Sequence, residues 1–178
     1  MIRPLLGMSG AMVGLALMLG ASQAQASDGS EMVGALRDVC MVSLETRTAV
    51  GPGVTRAPAE MEAKLLNGKI ASVWRTANPK IVVVAHDSGN TCEVMGLGMV
   101  VSDFAEALRL WAADAGMVID ADENMNDDGP GGAYLARAMA EGDFVQIYIE
   151  AQPAQTFVGV TATRVQDSVQ AKELLGME

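Results

Sequence analysis

Histidine, cysteine and aromatic residues are scarce in this chain. It has one histidine, His86, two cysteines, Cys40 and Cys92, and among its 178 residues only two tryptophans, two tyrosines and three phenylalanines. A structural zinc site draws typically four ligands from cysteine and histidine, so this inventory excludes one. No Cys-x-x-Cys spacing is present, which excludes the usual dithiol exchange motif. No Gly-x-Ser-x-Gly elbow is present either. No residue pattern calls for a cofactor. Basic side chains are also few: 12 against 22 acidic ones, a net charge of −10. Such a chain repels nucleic acid phosphates and anionic headgroups, so neither is expected as a partner. The partner that remains is a protein or a small-molecule ligand.

Long hydrophobic runs are missing beyond the N-terminus, and with them any transmembrane helix in the rest of the chain. The N-terminal run itself has three parts. Arg3 precedes an apolar stretch from Leu5 to Leu19, which is followed by a polar patch ending Ala24-Gln25-Ala26. A basic start, an apolar middle and a small-x-small end make a secretory signal peptide. At about 15 residues, and loosened by Gly7, Gly10 and Gly14, the run is short for a membrane span. No cysteine follows it to carry a lipid. The reading is therefore a cleaved segment, residues 1–26, and a single domain over residues 27–178. That domain works in the periplasm or outside the cell, and is free of the membrane after cleavage. Removing Arg3 makes the remainder one charge more negative. About 150 residues are enough for one core.

Export changes the meaning of the two cysteines. In an oxidising compartment an isolated pair is the simplest disulfide framework, so a Cys40–Cys92 bridge is expected.

Periodicity then orders the chain. Val33, Leu36, Cys40 and Leu44 fall on one face of a helix starting near Asp28, with Asp28 and Glu31 as a capping pair. Pro58 to Leu66 reads as a second, short helix ended by Asn67-Gly68. Strands are expected over residues 70–76, 81–86 and 91–99, separated by Asn78-Pro79 and by Asp87-Ser88-Gly89-Asn90. On the third, Cys92 and Val94 share one face, and Met95, Leu97 and Met99 share the other as a core stripe. Phe104, Leu108, Trp111 and Ala115 mark the clearest helix, with Ser102 as its N-cap and Gly116 as its stop. Further strands follow near residues 117–120, 133–139, 144–150 and 156–164, and a short helix over residues 167–175 closes the chain. Trp74 and Trp111 fall on core faces as packing anchors. The predicted fold is α+β: one antiparallel sheet of two meanders with helices packed on one face, stapled by one disulfide.

Three constellations bear on function. His86-Asp87-Ser88 holds the residue types of a hydrolytic triad, but neighbours on an extended chain point to opposite sides. Turn chemistry accounts for Asp87 and Ser88; the alternative is a small exported hydrolase with His86 as base and Ser88 or a distant acid as partner. Within the acidic run at residues 120–129, Asn124, Asn126 and Asp128 align with the first, third and fifth ligands of a calcium loop. The match fails where Leu135 stands in place of the bidentate glutamate, leaving a weak calcium-binding module as the alternative to a solvated turn. Met95 and Met99 suggest soft copper ligands, but core packing explains them.

Cys40 on an N-terminal helix, Trp74 on a strand, the run Ile81 to Val84, and Cys92-Glu93-Val94 form a pattern over roughly residues 36–112. It resembles small exported proteobacterial proteins of uncharacterised function. The resemblance implies no activity and assigns no site residue. With no nucleophile, base and orienting group to assemble, the reading is an exported, non-catalytic binding or accessory domain, with an enzyme as the lesser alternative.

Overall fold

Ser27 caps the helix that begins at Asp28: its hydroxyl accepts the Ser30 N–H at 3.2 Å. A computed structural model describes residues 27–47, 50, 53–68, 70–121, 131–139, 142–152 and 156–177. The residues of the expected signal peptide and of the acidic run from 122 to 129 lie outside these, including Asn124, Asn126 and Asp128.

The first helix is one rod in three parts: α1 (Asp28–Ala35), a π-helical segment (Leu36–Met41) and α2 (Val42–Thr46). Met32, Leu36, Cys40 and Leu44 are all fully buried along it. A strict spacing of four drifts by about 40° per step on an α-helix. The wider turn of the π segment offsets that drift and keeps the four side chains on one line toward the sheet. Asp28 and Glu31 do not cap the helix as expected. Ser27 takes that place, and the two carboxylates accept from Asn78 Nδ2, with Asp28 also bound to Lys80 Nζ at 2.5 Å.

Eight strands build one antiparallel sheet in the order β1-β2-β3-β4-β8-β7-β6-β5. They are β1 (Thr55–Arg56), β2 (Ala71–Arg75), β3 (Ile81–His86), β4 (Thr91–Leu97), β5 (Val118–Ala121), β6 (Gly131–Ala138), β7 (Asp143–Gln152) and β8 (Phe157–Gln166). Two meanders, β1 to β4 and β5 to β8, meet through β4 and β8, where Val94 lies opposite Val160. The two-residue β1 is the strand that periodicity does not reveal, being too short to alternate.

α4 (Val101–Asp114) packs beside α1 on the same face of the sheet as the first rod. Phe104, Leu108 and Ala112 join Leu36, Cys40, Val83, Val94, Ile147 and Val160 in the main core. The helix begins one residue before Ser102, so Val100 is its N-cap and no side chain caps it. α1 crosses the start of α4 so closely that a Cβ on Gly29 would lie 2.5 Å from the Phe104 backbone nitrogen. Two short helices sit on the opposite face, toward its two sides. α3 (Ala59–Leu66) packs Met61 and Leu66 against Ala57, Val73 and Val84. α5 (Val169–Leu175) packs Ala171, Leu174 and Leu175 against Tyr134, Ala136 and Phe144. Helices thus cover one face broadly and the other only at its margins.

The disulfide joins Cys40 and Cys92, with the Cα atoms 5.4 Å apart. It pins the π segment to β4 in the middle of the core. In the chain-entropy account, closing a loop of this size stabilises the fold by about 4 kcal/mol. The expected methionine stripe on β4 does not form. Leu97 is 59% exposed, and Gly98, at φ 68°, turns the chain so that Met99 folds back over Gly96 beside Met32 on the helix-covered face.

Candidate functional site

Strand alternation places Glu93, Met95 and Leu97 of β4, Phe157, Gly159 and Thr161 of β8, and Tyr148 and Glu150 of β7 on the face opposite the disulfide. α3 covers this face beyond β3 and α5 covers it beyond β7, so the strip between them is open. A groove of about 230 Å³ runs along it, lined by Glu93, Met95, Tyr148, Glu150, Phe157, Gly159 and Thr161 together with the backbone neighbours Ile149 and Val160.

Gly159 makes the groove. A glycine inside a strand leaves the sheet surface without a side chain where Met95 and Glu150 lie opposite it on the flanking strands. The Phe157 ring lies across the gap: a Cβ on Gly159 would stand 3.1 Å from its Cζ. The floor is therefore apolar, formed by Phe157 and Met95, with carboxylates on either side from Glu93 and Glu150. Among the described residues no lysine or arginine lines it.

Each rim side chain is held. The Tyr148 hydroxyl donates to Gln170 Oε1 at 2.8 Å, and its ring stacks at a tilt on Tyr134, with centroids 4.9 Å apart. Burial raises the Tyr134 phenol above its ordinary pKa, with Tyr148 adding to the effect. Gln152 donates to Glu150. Glu93 Oε1 lies 2.8 Å from His86 Nε2, both side chains about one-fifth exposed. The two residues sit diagonally on paired strands, within reach of long side chains. A carboxylate only accepts, so the shared proton resides on His86 Nε2 while Glu93 is ionised.

The structure thus separates the members of His86-Asp87-Ser88. His86 turns to Glu93, whereas the Ser88 hydroxyl accepts the Asn90 N–H at 3.3 Å within the β3–β4 turn. Among the described residues no group of three or more histidine, cysteine or acidic side chains has the arrangement to hold a metal ion. Glu93 entered the sequence reading only as part of a strand motif, and Tyr148, Phe157 and Gly159 not at all. The signal that could have found them is a polar or glycine residue recurring on alternate positions of strands that are otherwise apolar.

No helix among the described residues is long and apolar enough to cross a membrane. No family model, curated protein or solved structure matches the chain.

Proposed function

We propose that this chain is an exported, non-catalytic binding module whose open sheet face takes a basic, amphipathic segment of a partner protein. The observation that carries the reading is the groove between α3 and α5. Its floor is apolar, two carboxylates flank it, and no cation among the described residues lines it. A segment with apolar residues on one side and lysine or arginine beside them complements both features, and the net charge of −10 steers such a segment toward the surface. Export rests on the signal peptide pattern and agrees with the disulfide. The module then acts in the periplasm or in the medium.

Titrating the isotope-labelled mature protein with a short Lys/Leu amphipathic peptide tests this. Amide shifts should concentrate on β4, β7 and β8, weaken with salt, and fall sharply in Glu93→Gln/Glu150→Gln. Shifts spread evenly over the surface, or unchanged in that variant, would overturn it.

One observation favours a second reading, a hydrolase with His86 as base. Glu93 already orients the imidazole as an acid would in a catalytic pair. Turnover of an activated ester that disappears in both His86→Gln and Glu93→Gln would support this reading, and turnover unaffected by either variant would remove it.

A further inference from the structure

We infer that the open groove selects arginine over lysine: Phe157 and Glu150 together form a seat for one guanidinium group of the bound segment. This rests on the reading of the open face as the site of a basic segment, and names the side chain that the site reads.

Two of the three parts of the seat are in place. The Phe157 ring reaches over Gly159, where a Cβ would stand 3.1 Å from its Cζ and 3.2 Å from its Cε1. Glu150 lies directly opposite Gly159 on β7. The glycine thus lets an aromatic ring come up beside a carboxylate, which a larger residue would prevent. On its other side Glu150 is paired with Gly132 of β6, so neither strand neighbour raises a side chain against it. The carboxylate is exposed. Gln152 Nε2 donates to its Oε1, which steadies the group and leaves Oε2 without a partner among the described residues.

The third part, a cation, has to come from outside. Among the described residues no lysine or arginine lines the groove. Elsewhere the same chain shows the trio complete. The Arg56 guanidinium lies 6.0 Å from the centre of the Trp74 ring while its Nε donates to Glu62 Oε1 at 3.0 Å. There a ring and a carboxylate hold one guanidinium between them, and Phe157 and Glu150 offer the same pair to a partner.

The chemistry favours arginine. A guanidinium is planar and weakly hydrated, so its face can rest on a ring while an N–H at its edge reaches a carboxylate. An ammonium is a compact, strongly hydrated point charge; it gains the attraction of Glu150 and little from the ring. Met95 and Leu97, opposite Gly159 and Phe157 on β4, extend the apolar surface beneath the residues that flank the arginine.

The test compares two peptides, one of lysine and leucine and one with every lysine replaced by arginine, titrated into the isotope-labelled protein. The arginine peptide should bind about two- to fivefold more tightly, with amide shifts on β4, β7 and β8. Phe157→Leu should bring the two affinities together, and Glu150→Gln should weaken both. Nuclear Overhauser contacts between the arginine side chain and the Phe157 ring in the parent complex keep the test decisive should Phe157→Leu fail to fold. Equal affinities for the two peptides, absence of those contacts, or an arginine preference that persists in Phe157→Leu would overturn this inference alone. No shift with either peptide would overturn the reading of the open face along with it.

Discussion

Arg164 Nε donates to Asp143 Oδ2 at 2.5 Å, and each side chain is only 7% exposed. The same guanidinium donates through Nη1 to the carbonyls of Leu44 and Glu45 at 3.2 and 3.4 Å. It thereby satisfies carbonyls in the last turn of α2 that the helix itself leaves open. One ion pair on β7 and β8 thus also anchors the far end of the helix that carries Cys40.

Removing Asp143 takes the carboxylate from the buried Arg164, and removing Arg164 leaves the buried Asp143 only the longer contact to Arg47 at 3.6 Å. Arg164→Ala and Asp143→Ala should each lower the unfolding free energy by about 3–5 kcal/mol, measured by urea denaturation. The double variant Arg164→Met/Asp143→Leu should recover much of that loss. Single variants within about 1 kcal/mol of the parent would show the pair to be incidental.

The bridge should matter almost as much. Cys40→Ala/Cys92→Ala should cost about 4 kcal/mol on the same scale. Both sulfurs are fully buried. Alkylation after mild reductant should therefore label neither cysteine until denaturant is added, which mass spectrometry reads directly. Rapid labelling of the native protein would contradict the burial.

Two glycines of α1 provide an internal contrast. At Gly29 a Cβ would meet backbone atoms of Asp103 and Phe104, which cannot swing aside, whereas at Gly34 it would meet nothing within 4 Å. Gly29→Ala should therefore destabilise by about 1–3 kcal/mol through separation of α1 and α4. Gly34→Ala should be neutral, or stabilising by up to about 1 kcal/mol, through helix propensity. Thermal melts of the two variants check the pair, and equal effects would contradict the close crossing.

Acid should weaken the fold at two surface ties. Asp28 is held below its ordinary pKa first by Lys80 and then by Asn78; Glu62 is held below its own by Arg56 and by the Val73 N–H. A depressed carboxyl contributes stability above its unfolded value, near pH 4, and loses it as pH falls through the folded value. Stability should accordingly drop below about pH 4. Asp28→Asn and Glu62→Gln should each flatten that acid limb, as followed by denaturant midpoints across the range. An acid limb identical in all three proteins would contradict the assignment.

Much of the architecture was legible because its causes are local. Alternation along residues 81–86, the turn residues 87–90 and the apolar stripe of Phe104 and Leu108 each specify an element without help from the rest. The Cys40–Cys92 bridge was legible from the oxidising compartment that the N-terminal pattern leads one to expect. The π segment was not, because its cause is tertiary: the helix widens to keep Cys40 and Leu44 on the sheet. Met99 was misplaced because Gly98 reads equally as strand or turn until its positive φ is seen. The groove was hidden for a similar reason. Gly159, Glu93 and Tyr148 come from distant stretches of sequence, and only the β4-β8-β7 register brings them together.

The most direct measurement of the central claim is site-specific photocrosslinking in cells that produce the full chain. A photoreactive residue would replace Met95 in the groove or Leu110, which is 69% exposed on α4 on the other side of the sheet. The account predicts a discrete adduct from position 95 to a protein segment rich in lysine or arginine, lost in Glu93→Gln/Glu150→Gln and absent from position 110. No adduct from position 95, or the same adduct from both positions, would contradict a binding role for the open face.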